Sequence, residues 1–76
     1  MSQDIGDIKK TSIVITKVRL TEFKGRNFLD IRDFFKPKNA IDYAPTKKGV
    51  AIDVTKIAEV ISLLEQAEKI VVDKKQ

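Results

Sequence analysis

Phe23, Phe28, Phe34 and Phe35 are interleaved with Arg19, Lys24, Arg26 and Arg32 in a single stretch, which therefore holds four of the five aromatic residues of the chain. Flat rings stack on nucleobases, and guanidinium and ammonium groups hold phosphates, so this mixture is the chemistry of a nucleic-acid-binding surface. Lys17 extends the cationic series toward the N-terminus. Nucleophilic and metal chemistry have little to work with, since the sequence has no histidine and no cysteine and lacks a glycine-rich phosphate cradle. Asp30 and Asp33 are the carboxylates nearest the aromatic stretch, and in a regular strand they point to opposite sides and cannot readily share a metal. The expectation is a binding protein rather than an enzyme, with no cofactor and no metal.

Such side chains act together only if a sheet presents them on one side. Apolar and basic residues alternate on both flanks of Lys24-Gly25, as in a β-hairpin with one oily and one cationic face. Gly25 takes a positive φ at no steric cost, which suits a tight turn. A first strand is expected over Thr11 to Glu22 and a second over Arg26 to Phe35. Lys36-Pro37-Lys38-Asn39 marks a loop over residues 36–40. Short third and fourth strands follow, near Ile41 to Tyr43 and at Val50 to Ile52. Asp53 is placed to cap a helix in which Val54, Ile57, Ala58, Ile61, Leu64 and Ala67 recur at three and four, ending near Lys69 to Val72. The fold class is thus α+β: a four-stranded antiparallel sheet followed by one helix on one of its faces. The expected organisation is a flexible arm over residues 1–10, one domain over 11–72 and a tail over 73–76.

Parity assigns Val14, Val18 and Leu20 of the first strand to one face and Lys17, Arg19, Thr21 and Phe23 to the other. In the second strand Leu29 and Ile31 take the core parity, and Phe28, Asp30, Arg32 and Phe34 lie opposite. Arg32 has two readings, a phosphate contact or an ion pair with Asp30 on the same face. Phe28 stacks, lines an interface or covers the sheet. Phe34 and Phe35 point opposite ways, and the sequence leaves open which of them faces out. Phe23, beside Lys24 at a turn, reads as a stacking platform. Lys47 and Lys48 are loop cations, followed by Gly49.

Seventy-six residues make one small domain, and a chain this short, without disulfides or zinc ligands, is expected to gain its stability from a second copy. The helix is broad enough for that role, since Val60, Ile70 and Val71 widen its apolar arc beyond a narrow seam. Charge is uneven: residues 9–48 carry +7, against −2 before and −1 after, within a net +4. The positive field belongs to the strands and their loops. No apolar run is long enough for a bilayer. The expectation is a soluble intracellular protein without membrane contact, nuclear if eukaryotic, in the cytoplasm or nucleoid if prokaryotic or archaeal.

Three strings taken in order, Glu22-Phe23-Lys24-Gly25-Arg26, Leu29-Asp30-Ile31-Arg32-Asp33-Phe34-Phe35 and Pro45-Thr46-Lys47-Lys48-Gly49-Val50-Ala51-Ile52, resemble the C-terminal domain of transcriptional positive cofactor 4. The resemblance runs from about Val18 to Leu64. It implies a curved four-stranded antiparallel sheet and a helix, paired as a homodimer, that bind single-stranded DNA or melted duplex across basic surfaces and hairpin loops. By position, Phe23 and Phe35 match the family's base-stacking aromatics, and Lys24, Arg26, Arg32 and Lys48 match its backbone-contacting cations. Lys47 falls on another basic position. Phe35 stands where the animal members have tryptophan, Thr21 where they have arginine and Ala44 where they have lysine.

The resulting expectation is a single-stranded-DNA-binding protein of little sequence specificity, acting as a coactivator-like or genome-maintenance factor. Its partners are single-stranded DNA, melted duplex or RNA, a second copy of itself, and transcription machinery. Two other classes compete with it: a module that docks acidic protein partners, and a duplex-binding chromatin protein.

Overall fold

The computed structural model describes residues 2–74. Four strands, β1 (Gln3–Lys9), β2 (Val14–Phe23), β3 (Arg26–Phe35) and β4 (Ala44–Asp53), form one sheet in chain order, and each pairs antiparallel with the next. A 3₁₀ turn (Val54–Lys56) leads into the helix α1 (Ile57–Asp73).

The β2–β3 hairpin forms where alternation and turn chemistry coincide. Phe23 pairs with Arg26, leaving a two-residue loop in which Lys24 has φ 52° and Gly25 φ 78°. Two positive φ values in succession are the signature of a type I′ turn, whose twist matches that of the flanking strands. The register, Val14 opposite Phe35 through Phe23 opposite Arg26, has no irregularity.

The other elements depart from the sequence expectations in instructive ways. Residues 1–10 are not an arm, because Gln3–Lys9 is a strand paired along β2. Every residue of β1 is exposed, so no hydrophobic pattern announces it, and the backbone ladder to β2 carries the pairing. Thr11, expected to open the first strand, makes a turn instead, its Oγ1 accepting from the N–H groups of Ile13 and Val14. Ile41 to Tyr43 is not a strand but the end of the β3–β4 loop. The final strand begins at Ala44 and absorbs both Pro45 and Gly49. Pro45 is tolerated because β4 is an edge strand, where a missing N–H costs no ladder bond. Gly49 is required there: a Cβ on it would lie 2.8 Å from both the Arg32 Cβ and the Ile31 carbonyl oxygen.

Asp53 does cap, but it caps the 3₁₀ turn by accepting from the Thr55 N–H at 3.0 Å, so α1 starts only at Ile57. The helix continues through Asp73, with Lys74 donating its N–H to the Ile70 carbonyl at 3.1 Å. The expected tail thus begins inside the helix, and residues 75–76 lie outside the described part. Ordered elements accordingly span 3–73 rather than 11–72.

The helix does not cover the sheet. Among the described residues Phe34 is the one buried apolar side chain, and no residue of α1 is buried. Ile61, Leu63, Leu64, Ile70, Val71 and Val72 are all at least half exposed. The molecule is flat, 42 × 38 × 18 Å. One sheet face carries Ile8, Val14, Val18, Leu20, Leu29, Ile31, Phe35, Val50 and Ile52. Across the other run Asp4, Asp7, Lys17, Arg19, Thr21, Phe23, Arg26, Phe28, Asp30, Arg32 and Phe34.

Candidate nucleic-acid interface

The β2–β3 register sets the polar face row by row. From the hairpin tip inward the opposed pairs are Phe23/Arg26, Thr21/Phe28, Arg19/Asp30, Lys17/Arg32 and Ile15/Phe34. The structure thus brings Lys17, Arg19, Phe23, Arg26, Phe28 and Arg32 to one face, with Lys24 at the tip. Phe35 is not among them. Its register partner is Val14, so it lies on the opposite face, 38% exposed. Phe34 is buried at 7% exposure, beneath Lys17 and Arg19, whose charged groups sit 5.5 and 5.1 Å from its ring centre. Of the adjacent pair Phe34 is therefore inside and Phe35 outside, and Phe23 and Phe35 do not share a face.

The cations of this face divide into two groups. In the first, a carboxylate already holds the charge. Asp30, 5% exposed, accepts from Arg19 at 3.2 Å and from Arg32 Nη2 at 3.1 Å. Arg32 also donates Nε to both Asp30 oxygens at 3.3 Å and Nη1 to the Thr46 carbonyl at 3.0 Å. Both readings of Arg32 therefore start from a guanidinium fully engaged in the fold. Lys17 lies 3.5 Å from the carboxylates of both Asp4 and Asp7. Arg26 pairs with Asp53 while covering the Phe28 ring at 5.5 Å. Two hydrogen bonds from Thr55, one from its backbone N–H and one from its hydroxyl, together with Arg26, pull the Asp53 carboxyl down to about 2. On the opposite face Lys10 Nζ at 2.7 Å and the Thr16 hydroxyl at 2.9 Å hold the Asp33 carboxyl below the usual range.

The second group has no ion pair among the described residues: Lys9, opposite Ile15 at the end of β1, and Lys24, Lys36, Lys38, Lys47 and Lys48. The last five are on the hairpin tip, the β3–β4 loop or the irregular part of β4. Lys24 stands over the Phe23 ring at 5.4 Å, and that ring is 64% exposed. Lys47 and Lys48 belong to a bulge, since Arg32 pairs with Gly49 and Phe34 with Pro45, leaving Asp33 opposite Thr46, Lys47 and Lys48. The bulge is fixed by the Thr46 hydroxyl, which donates to the Asp33 carbonyl at 2.9 Å and accepts from the Lys48 N–H at 3.1 Å.

The sequence reading passed over Lys36, Lys38 and Tyr43, which it assigned to a loop and a strand without function. A parity signal was present: Lys36 follows Phe34 by two and so stays on the polar face. Its N–H donates to the Ile13 carbonyl at 2.8 Å, which continues the β2–β3 ladder one step beyond the strand. Among the described residues there is no acidic cluster able to hold a metal ion and no enclosed pocket. No helix among them is long and apolar enough to cross a membrane.

A sequence model of the family described as Transcriptional Coactivator p15 (PC4) matches residues 15–63, from β2 through the first turns of α1. No curated protein sequence gives a significant match. Among solved structures, a PC4 homologue from Burkholderia pseudomallei is similar in two crystal forms at 25% identity. In the orthorhombic form the TM-score is 0.79, covering 88% of this chain and 89% of the homologue; in the tetragonal form the values are 0.78, 90% and 98%. The bacteriophage T5 homologue of the eukaryotic coactivator PC4, implicated in recombination-dependent DNA replication, has a TM-score of 0.64 at 25% identity, covering 95% of this chain and 78% of that one. The four-stranded antiparallel sheet, the C-terminal helix and a family match over most of the chain lead to one conclusion: this chain belongs to the PC4 family.

Proposed function

We propose that this protein binds single-stranded or locally melted DNA with little sequence preference, using the polar face of the sheet and the lysines of its loops. Membership of the PC4 family supports the broader DNA-binding, coactivator-like role. The observation that carries the finer reading is the hairpin tip, where an exposed Phe23 ring lies under a lysine with no carboxylate partner among the described residues. An exposed ring beside an unpaired cation suits stacking on an unpaired base. Lys36, Lys38, Lys47 and Lys48 supply phosphate contacts, and the ion-paired Lys17, Arg19 and Arg32 hold the surface in shape. The protein acts by binding and not by catalysis. The phage relative's connection with DNA replication supports a genome-maintenance role alongside a coactivator-like one.

Two copies act together in this reading. The exposed apolar residues of α1 and the half-buried apolar face of the sheet make up an unusually large uncovered hydrophobic surface for a small chain, which a second copy would bury. Phe35, on that second face, is then a stacking residue only where the dimer opens onto the nucleic acid.

The test is a fluorescence-anisotropy titration of a labelled single strand, its duplex and the matching RNA at two salt concentrations. The expected result is a preference for the DNA single strand, with a log–log salt slope of about −3.5 if five unpaired lysines each neutralise a phosphate. Equal affinity for duplex would replace this reading with duplex binding, and no binding at all would favour docking of an acidic protein partner.

A further inference from the structure

Five cation–ring contacts lie on or beside the polar face, and they are not alike. Lys17 and Arg19 over Phe34, and Arg26 over Phe28, are cations already neutralised by Asp4, Asp7, Asp30 and Asp53, and neither ring is highly exposed. Only two contacts combine a ring with a lysine that has no ion pair among the described residues. One is Lys24 over Phe23 at the hairpin tip. The other is Lys36 over Tyr43, at 5.6 Å, where β3 leaves the sheet and β4 is about to begin.

Parity carried one step beyond the paired strands puts both on the same surface. Lys36 continues the β2–β3 ladder opposite Ile13, two residues beyond Phe34, and Tyr43 precedes Pro45, the partner of Phe34, by two. The two sites therefore lie at opposite ends of one strand, ten residues of β3 apart, or roughly 34 Å at the usual rise. The Tyr43 loop is built for contact with something outside. Its neighbour Ile41 is 97% exposed, Lys38 is unpaired, and the Tyr43 hydroxyl has no hydrogen-bond partner among the described residues. A ring held at an edge by one movable ammonium repeats the chemistry of the Phe23 tip: a base takes the ring and the lysine swings to a phosphate.

We infer that Lys36 and Tyr43 form a second base-stacking subsite, at the opposite end of the polar face from Phe23, for the same single strand. The inference rests on the single-strand reading above. It adds an unpaired base as the ligand of Tyr43 and makes the path across the sheet end to end.

The sequence supplies its own probe, because Tyr43 is the sole tyrosine and there is no tryptophan. The full-length protein is titrated with an unlabelled single strand of about 16 nucleotides, at the long end of ordinary site sizes. Tyrosine emission is followed, and a parallel titration with labelled strand reads binding by anisotropy. Quenching that saturates together with the anisotropy change is expected, along with an affinity about 5-fold or more weaker for Tyr43→Ala and nearly unchanged for Tyr43→Phe. Saturating anisotropy with unaltered emission would overturn the subsite while leaving single-strand binding intact, as would a Tyr43→Ala variant that binds like the parent. No change in either signal would overturn both. The emission measurement needs no substitution and so does not depend on any variant folding.

Discussion

Arg32 and Lys47 illustrate how differently two positive side chains serve the same face. Arg32 is consumed by Asp30 and by the Thr46 carbonyl, while Lys47 on the bulge has no ion pair among the described residues. Removing Arg32 strands part of the hydrogen-bonding capacity of a buried carboxylate, with Arg19 left to satisfy it alone. Arg32→Ala should therefore lower stability by about 1–3 kcal/mol, read as a drop in thermal midpoint. Lys47→Ala should leave the midpoint unchanged and weaken DNA binding for all sequences alike, with a salt slope shallower by about 0.7. At this scale the sequence was legible in kind and not in state. The residue types suited to stacking and charge neutralisation were visible at Phe23, Lys24 and Arg26, but which cations are spent depends on which carboxylate lies across the ladder. Arg19 meets Asp30 at a separation of eleven positions only because the register brings them together. The same holds for Phe34 and Phe35, whose opposite orientations followed from parity, while the choice of the buried one needed Lys17 and Arg19 overhead.

Among the elements, the hairpin carries a compromise. Lys24 sits at φ 52°, a left-handed conformation that costs a β-carbon-bearing residue about 1–2 kcal/mol, more than the extra chain entropy glycine would lose. Lys24→Gly should thus raise the thermal midpoint modestly while weakening single-strand binding, so that the two assays move in opposite directions. The junction between β4 and the helix responds to acid. Asp53 has a folded carboxyl near 2, below its ordinary 3.8, so its contribution is complete above about pH 4 and fades as pH falls toward 2. Circular dichroism melts between pH 5 and pH 2, run beside Asp53→Asn, should show that the parent loses stability more steeply in this window.

The strongly alternating β2 and β3 and the three-four spacing of α1 were legible because periodicity there reflects burial or an apolar stripe. β1 was not, since an edge strand exposed along its whole length needs no pattern. β4 was obscured by Pro45 and Gly49, two residues that usually punctuate and that here fit an open edge and a close approach to Arg32.

For the molecule as a whole, small size and the lack of staples foretold a shortage of core, and the structure locates it: one buried apolar side chain among the described residues and a helix with none. What the sequence could not convey is that the helix stands off its own sheet, since a wide apolar arc reads the same whether it faces that sheet or another chain. Sedimentation equilibrium should give twice the mass of one chain for the parent. Leu64→Glu, which places a charge among the exposed apolar residues of α1, should shift the population to monomer and lower the thermal midpoint together.

An open sheet has two free rims, and a free rim is a template on which further strands can grow. Here both are spoiled. β1 is interrupted by a bulge at Ile5, between Asp4 and Gly6, and bears carboxylates. β4 carries a proline at its second residue and then buckles at Thr46, Lys47 and Lys48. Copies of this chain crowded along one length of nucleic acid therefore meet at irregular, charged borders, and fibrillar stacking is discouraged at the high local concentrations where its work would be done.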